Sequence, residues 1–320
     1  MTPLLLTACL VVPNAQGQGQ RQRYEYRQTQ MGMAVRVVLY ASHDTTARRA
    51  GRAAFHRMED LENVLSSYRS SSELNRLTNR AHETPVSVSR PLFAVLRHAQ
   101  RLARRSDGAF DVTAGPYLDL WATARTHGAL PDSSALRRAS ARVGWQKVEL
   151  NEERRTVRLA SDSMQLNAGG IAKGYILDRA LDTLTAEGVS RAMIEAGGDL
   201  VLSGPPPQQS GWEVRLPAAG PDDEARTLRL DHAAVATSGD THQYVEINGT
   251  RYSHVVDPRT GLGLTQHPLV TIVAEDGITA DGLATTVSVL GPDAGRAFLA
   301  EHYPSVRAYV RSTSHPESSN

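Results

Sequence analysis

The stretch NAGGIAKGYILDRAL, from Asn167 to Leu181, places a glycine pair and a lysine at the start of an amphipathic helical pattern. Gly169 and Gly170 predict a turn, and the apolar spacing predicts a helix that ends at Gly188. The free N–H groups and dipole of such a helix start, together with Lys173, attract anions. The glycine spacing matches neither a P-loop nor a Rossmann fingerprint. Two interpretations stay open for the stretch alone: an anion cradle, or a plain turn with a solvated lysine.

Composition limits the possible partners. The chain has 320 residues, of which 40% are hydrophobic, so it can bury a large core. Thirty-five basic side chains balance thirty-four acidic ones, and this balance favours neither nucleic-acid binding nor electrostatic attraction to a membrane. The expected partners are a small molecule and a protein, with no nucleic acid.

Periodicity in the first half of the chain predicts helices and strands without a regular βαβ repeat. Strands are expected at MAVRVVLY (33–40) and around Val148, Val157 and Met164. The predicted helices cover about 45–65, the segment from an N-cap at Ser89 toward Gly108, a short segment starting at Pro116, and the segment between Asp132 and Gly144.

Strands dominate from Arg191 onward. They are AMIEAG, DLVLSG, WEVRLP, TLRL, AAVATSG, HQYVEI and TRYSHVV, and Asn248-Gly249 predicts a hairpin turn between the last two. Two helices, TADGLATTVSVLG and PDAGRAFLAEH, and a last strand, VRAYV, follow. The predicted fold class is α+β, with mixed sheets and packed helices.

The N-terminus predicts export. Cys9 is the single cysteine, so no internal disulfide forms, and it ends the run LLLTAC, which resembles a lipoprotein lipobox. An ordinary signal peptide cut after Ala15 is the alternative. The polar segment NAQGQGQRQR that follows suits a flexible tether. We therefore expect a signal, lipobox and tether over residues 1–23, one domain over 24–311, a disordered tail over 312–320, and no transmembrane helix.

Three constellations are candidates for chemistry. Asp281 and Thr285 lie four residues apart, so on a helix their oxygens share one face and suit Mg²⁺; an Asp N-cap with a buried Thr is the alternative. His254, near Asp257, is a candidate general base or a buried, hydrogen-bonded histidine. GAFDVTAGPYLDLW (108–121) is a candidate site segment or core.

The combination of motifs is more specific than any one of them. Taken in order, the chain from about residue 24 to 310 resembles the ApbE family, the FAD:protein FMN transferases, through the series MGM, LSSYRSSSELNRL, GAFDVTAGPYLDLW, LNAGGIAKGYILD, EAGGDL, ATSGD, YSHVVDPRTG and ADGLATTVSVLG. The resemblance implies an ApbE-like, T-fold-related architecture.

The resemblance also assigns residues. The FAD-binding positions of the family correspond to Met31, Tyr68, Ala109, Phe110, Asp111, Lys173 and Val255. The magnesium site corresponds to the carbonyl of Gly170 with Asp281 and Thr285, which makes Asp281 catalytic, and His254 corresponds to the histidine that assists the attacking hydroxyl. Two positions depart from the family pattern. Met33 replaces a threonine, and Asn167, a further expected FAD contact, stands where many relatives carry an acid.

The implied activity is Mg²⁺-dependent transfer of FMN from FAD to a threonine hydroxyl of a target flavoprotein, with release of AMP. The expected target is a subunit of the respiratory Na⁺-translocating or electron-transport type. The alternatives are hydrolysis of FAD to FMN and AMP, and a non-catalytic FAD-binding lipoprotein. Tyr68 favours transfer over hydrolysis, because members of the family that mainly hydrolyse FAD differ at this position. The expected location is the periplasmic face of the inner membrane, with a lipid anchor at Cys9 as the only membrane contact.

Overall fold

The computed structural model describes residues 21–218, 226–239, 244–266 and 268–312. Cys9, residues 14–20 of the predicted tether and the tail beyond 312 lie outside these ranges. Among the described residues, no helix has both the length and the apolar character needed to span a bilayer.

The described ranges contain eight α-helices and sixteen strands. The helices are α1 (Asp44–Leu65), α2 (Glu73–Thr78), α3 (Arg90–Arg105), α4 (Gly115–His127), α5 (Ser133–Ser140), α6 (Ala172–Ala186), α7 (Gly277–Leu290) and α8 (Pro292–His302). The strands are β1 (Gln22–Gln30), β2 (Met33–Ala41), β3 (Val86–Ser87), β4 (Val148–Asn151), β5 (Thr156–Leu159), β6 (Ala192–Ala196), β7 (Asp199–Leu202), β8 (Trp212–Arg215), β9 (Thr227–Leu230), β10 (Ala233–Ser238), β11 (Tyr244–Ile247), β12 (Thr250–Ser253), β13 (Val256–Asp257), β14 (Leu262–Gly263), β15 (Pro268–Ala274) and β16 (Arg307–Ser312).

A seven-stranded sheet with the order β1-β2-β6-β7-β10-β15-β16 forms the centre of the fold. Each neighbouring pair in it is antiparallel. The main hydrophobic core lies between one face of this sheet and the helices α1, α3, α6 and α7. The hairpin β8-β9 covers part of the other face through a second cluster around Trp212 and Val38. The helix-covered face carries the candidate site.

The α+β class is confirmed, and the expectation of mixed sheets needs refinement. All strand ladders in the described ranges are antiparallel, and the parallel pairing there is one isolated bridge between Ala114 and Gln165. The strand expected around Met164 is wrong, because this segment contributes only that bridge. The helix starting near Pro116 is longer than expected, at 13 residues.

The local signals for helix starts and turns are confirmed. Ser89 Oγ accepts the N–H of Leu92 at 3.4 Å, and the Asp132 carboxylate caps α5. Asn248 and Gly249 have φ angles of 53° and 73°, and these positive values form the predicted turn between β11 and β12.

Helices α6 and α7 cross at two glycines. A Cβ at Gly277 would lie 2.6 Å from the carbonyl oxygen of Gly174, and a Cβ at Gly174 would lie 2.9 Å from the Cβ of Asp281 and would overlap the Gly277 carbonyl. Only glycine at both positions lets the two backbones approach so closely. This crossing holds the start of α6 against the face of α7 that carries Asp281.

Gly174→Ala should therefore lower the free energy of unfolding by about 3 kcal/mol, because the added methyl group meets backbone that cannot move aside. Urea unfolding measures this change. Thr185→Ala, at an exposed position on the same helix, is the control and should stay within about 0.5 kcal/mol of the parent protein. Equal stability of Gly174→Ala and the control would show that the crossing is looser than described.

Candidate functional site

Helix α7 presents a row of oxygen atoms. Asp281, Thr285 and Ser288 lie at i, i+4 and i+7 and so share one face. The N-cap of the helix is Asp276, whose Oδ1 accepts the N–H of Thr279 at 3.0 Å. The alternative that Asp281 is an N-cap is therefore wrong, since Asp281 lies inside the helix and Thr285 is only half-buried.

The glycine turn before α6 faces this row. Thr285 Oγ1 lies 3.4 Å from the carbonyl oxygen of Gly170, which accepts its proton. A Cβ at Gly170 would lie 2.9 Å from the same Oγ1 and 3.3 Å from the ring of Phe110. The structure thus brings together Gly170, Thr285 and Phe110, which the sequence places far apart. The absence of a side chain at Gly170 keeps its carbonyl within reach of Thr285.

Asp281, on α7, completes the arrangement by contacting the first turn of α6. Its side chain is only 7% exposed, and its Oδ2 accepts the N–H of Gly174 at 3.0 Å. Burial raises the pKa of Asp281, while the Lys173 ammonium and the Gly174 N–H oppose the rise. The carboxylate keeps a second oxygen and further lone pairs for a cation.

Lys173 is held by an acid that the sequence predictions do not include among the site residues. Its Nζ forms an ion pair with Oδ2 of Asp199 at 3.0 Å, without the alignment of a hydrogen bond. The other carboxylate oxygen, Asp199 Oδ1, accepts the N–H of Thr237 at 3.2 Å. Asp199 is 3% exposed and follows the Gly197-Gly198 turn between β6 and β7. The stretch EAGGDL contains this signal, but only the folded sheet places it against Lys173.

Three ionisable groups, Lys173, Asp199 and Asp281, therefore share one buried place. Burial and the nearby Asp281 carboxylate raise the pKa of Asp199 to about 7, although Lys173 opposes the shift. For Lys173, burial lowers the pKa, but the two carboxylates outweigh it and leave the pKa above its usual value. The lysine is charged at neutral pH. A polyanion or a cation that enters the site therefore meets a lysine and carboxylates that are already held in place.

The oxygen donors fit a hard divalent cation. One buried carboxylate, one hydroxyl and one backbone carbonyl converge from Asp281, Thr285 and Gly170, and Mg²⁺ commonly takes so few protein ligands together with water and phosphate oxygens. Within the ranges that the structure describes, no three His, Cys, Asp or Glu side chains group as a metal centre. A cation held mainly by protein side chains is therefore a poorer fit to these residues than Mg²⁺ on a phosphate ligand.

Asn167 shapes the glycine turn. Its Oδ1 accepts the N–H of Gly169 at 2.8 Å, and its own N–H donates to the carbonyl of Val112 at 2.6 Å. The second bond ties the turn to the segment that carries Phe110. An amide at this position therefore supplies the turn's hydrogen bond without a negative charge.

The residues 109–111 are buried beside that turn. Asp111 Oδ1 accepts both the N–H and the hydroxyl of Thr113, at 2.8 and 2.7 Å, and burial raises the pKa of Asp111 against these bonds. Ala109 and Phe110 belong to the buried set. The segment is thus both core and site wall, which combines the two interpretations left open for it.

Two expected FAD contacts lie in loops next to the end of α1. Met31 occupies the turn between β1 and β2, and the side chain of Tyr68 is 94% exposed in the loop after α1. An aromatic ring so exposed contributes little to the fold, which leaves it available to stack on a planar ligand.

His254 and Val255 lie in the loop between β12 and β13, and both are half-buried. Val255 and Ser288 line one small cavity, so this loop approaches the far end of the oxygen row on α7. The carboxylate of Asp257 pairs with the guanidinium of Arg259 at 2.8 and 2.9 Å. The structure thus gives Asp257 a role in its own turn, next to the loop that carries His254.

Asp178 fixes the start of α7. Its Oδ1 and Oδ2 accept the N–H groups of Gly277 and Ile278 at 2.7 and 3.0 Å. Burial raises the pKa of Asp178 to about 7 in spite of these two bonds. The buried acid therefore links α6 to α7 and adds a pH-sensitive contribution to the stability of the site.

The contribution of Asp178 to the free energy of unfolding depends on pH, because folding raises the pKa of this carboxyl group. Because the folded pKa lies above the usual value of 3.8, the folded chain holds the proton more tightly than the unfolded chain, and the stability gained is lost as pH rises from about 4 to about 7. The unfolding free energy of the parent protein, relative to that of Asp178→Asn, should fall by about 2 kcal/mol from pH 5 to pH 8. Urea unfolding at both pH values measures this, and parallel pH profiles would contradict it.

Comparison with known proteins places this geometry in a family context. Residues 31–310 match the model of the ApbE family. The FAD:protein FMN transferase of Treponema pallidum is 33% identical over 295 residues, which cover 87% of this chain and 81% of the relative. The enzyme of that name from Klebsiella pneumoniae is 31% identical over 274 residues, covering 85% of this chain and 84% of the relative.

Solved structures agree. The apo crystal structure of the Pseudomonas stutzeri flavinyl transferase ApbE superposes with a TM-score of 0.83 at 28% identity and covers 93% of this chain and 94% of that one. A Vibrio cholerae flavin transferase ApbE has a TM-score of 0.78 at 26% identity, with 92% and 98% covered.

Proposed function

The chain belongs to the ApbE family of FAD:protein FMN transferases, and from this premise we propose that it moves FMN from FAD to a threonine hydroxyl of a target flavoprotein in a Mg²⁺-dependent reaction. The hydroxyl oxygen forms a bond to the FMN phosphorus, the bond from that phosphorus to the AMP oxygen breaks, and AMP leaves. The observation that carries the proposal is the convergence of Gly170, Asp281 and Thr285 on the lysine-bearing start of α6.

The start of α6 supports binding of the diphosphate. The helix dipole favours negative charge at this end, and Lys173 adds a cation directed by Asp199. Gly170, Asp281 and Thr285 would hold Mg²⁺, which when bound neutralises charge on the diphosphate. With the substrate held at both phosphates, the chain's main contribution is positioning.

His254 would accept the proton of the attacking hydroxyl. A threonine hydroxyl is a weak nucleophile at neutral pH, so a base within reach is needed when it attacks. His254 suits this role because its loop approaches the oxygen row of α7 and because its neighbour Val255 is an expected flavin contact.

AMP release tests the proposal in its simplest form. Purified protein incubated with FAD and Mg²⁺, with and without a threonine-bearing acceptor, should release AMP that rises with the acceptor concentration. AMP release that ignores the acceptor would instead support hydrolysis of FAD, and FAD binding without AMP would support storage.

We also propose that the protein is anchored by lipid at Cys9 on the periplasmic face of the inner membrane, where a respiratory subunit would be its target. The support is the LLLTAC run and the polar segment that follows it. Mass spectrometry of the membrane fraction from an expressing bacterial strain should find a lipidated N-terminal Cys9. A soluble periplasmic product that starts at Gln16 would contradict the anchor.

A further inference from the structure

Side-chain hydrogen bonds hold the backbone of the loop that carries Tyr68. Ser66 Oγ accepts the N–H groups of Tyr68 and Arg69, both at 3.2 Å. The side-chain amide of Asn75, in α2, donates to the carbonyls of Ser67 and Arg69 at 3.1 and 2.9 Å. These bonds hold the backbone of the loop in one shape while leaving the Tyr68 ring in solvent. A fixed backbone beneath a free ring is the arrangement expected of a ligand contact.

The β1-β2 turn is held less well by its own residues. Gln30 pairs with Met33, so Met31 and Gly32 form the turn, and Met31 has a positive φ of 52°. A side chain in this left-handed region costs about 1 kcal/mol, and the N–H of Met31 takes no part in the ladder. The N–H of Met31 is therefore available to an acceptor outside the hairpin.

Glu62, in the last turns of α1, supplies that acceptor and also contacts the Tyr68 loop. Its Oε2 accepts the N–H of Met31 at 3.2 Å and lies 3.0 Å from Nη2 of Arg69. The Glu62 side chain is only 14% exposed, and Arg69 Nη1 donates to Oδ1 of Asn63 at 2.7 Å. A single carboxylate oxygen thus joins the turn of Met31 to the neighbour of Tyr68.

We infer that Glu62 is a positioning residue that fixes Met31 and Tyr68 as one binding edge for a ring of the flavin nucleotide. The inference rests on the proposed function, because it takes FAD as the ligand. A thioether and an exposed aromatic ring offer the apolar and stacking contacts that a planar ring system takes. The cradle of Gly170, Asp281 and Thr285 handles the phosphates, so the Glu62 link should act on the ring and leave phosphate binding unchanged.

The link predicts a selective loss of affinity. In Glu62→Gln and in Arg69→Gln, FAD should bind about fivefold more weakly, since each change removes one charged, partly buried contact. The double variant should bind no more weakly than the single ones, because both break the same link. Glu62→Ala should weaken FAD binding more, since the N–H of Met31 also loses its acceptor. Binding of inorganic pyrophosphate with Mg²⁺, which has no ring, should stay unchanged in all variants.

The experiment measures FAD affinity by flavin fluorescence, pyrophosphate affinity by calorimetry, and stability by urea unfolding. Glu195→Gln is the control, because Glu195 also forms a partly buried ion pair with an arginine, Arg36 across β2 and β6, and FAD binding should not change there. FAD affinity that stays at the parent value in folded Glu62→Gln and Arg69→Gln overturns the inference, as does an equal loss for FAD and pyrophosphate. If Glu62→Ala fails to fold, Arg69→Gln, at a position 41% exposed, decides. Failure of the parent protein to bind FAD would instead overturn the proposed function.

Discussion

Asp281→Asn should reduce the release of AMP from FAD by about a thousandfold, the scale seen when a group that stabilises developing charge is removed. Asparagine keeps an oxygen that can accept the N–H of Gly174, so the crossing of α6 and α7 should survive. The substitution removes the one carboxylate among the three expected magnesium ligands. Mg²⁺ would then be held less tightly and would neutralise less of the phosphate charge. AMP release at saturating FAD and several Mg²⁺ concentrations measures the loss.

The neighbours of Asp281 supply the controls for that experiment. Thr285→Val should reduce AMP release less, because it removes a neutral ligand. Asp276→Asn retains the N-cap of α7 and should leave AMP release close to that of the parent protein. Near-normal AMP release by Asp281→Asn at low Mg²⁺ would overturn the magnesium assignment.

His254→Ala should slow the labelling of an acceptor protein by about a hundredfold at saturating FAD, because the threonine hydroxyl would lose its base. FAD affinity should change much less, since the proposed diphosphate contacts are made by residues of α6 and α7 and the turn before α6, and not by His254. Fluorescence titration of FAD, followed by timed labelling at saturation, separates the two effects.

His127→Ala is the comparison for this experiment, because His127 is an exposed histidine at the end of α4. It should label the acceptor at the parent rate. Unchanged labelling by His254→Ala at saturating FAD would eliminate the general-base role, and a parallel loss of stability and FAD affinity would show that His254 only supports its loop.

The helices were largely predictable because their signals are local. In α1, α3 and α6 the apolar spacing and the glycine or serine at the ends were sufficient, and the structure begins and ends them within a few residues of the expected positions. Asp281 was harder to place. The pattern started the last long helix near Thr279, whereas Asp276 caps α7 earlier and moves Asp281 into its interior.

Two strands of the central sheet gave no usable pattern. β15, PLVTIVA, is buried at every position, so it lacks the polar and apolar alternation that marks a half-buried strand. β1, QRYEYRQTQ, is an edge strand with few apolar residues, and it continues directly from a polar segment. Both strands depend on neighbours that are distant in the sequence.

The candidate site likewise contains residues that the sequence indicated and residues that only the fold brings into place. The expected ligands Gly170, Asp281 and Thr285 were assigned by family resemblance, and the structure brings them together. Asp199 and Glu62 were not among the expected site residues because their roles come from pairs that only the fold creates. The contacts of Lys173 with Asp199 and of Met31 with Glu62 join separate elements, and no spacing in the sequence predicts them.

The most direct test of the proposed transfer is the mass of the acceptor. A respiratory flavoprotein subunit that contains the acceptor threonine should be incubated with the purified protein, FAD and Mg²⁺ and then analysed by intact-mass and peptide mass spectrometry. The proposal predicts that the subunit gains one FMN, bound through a phosphoester to a threonine, that AMP appears in equal amount, and that Asp281→Asn abolishes both. Release of AMP with no gain of mass on the threonine would contradict it.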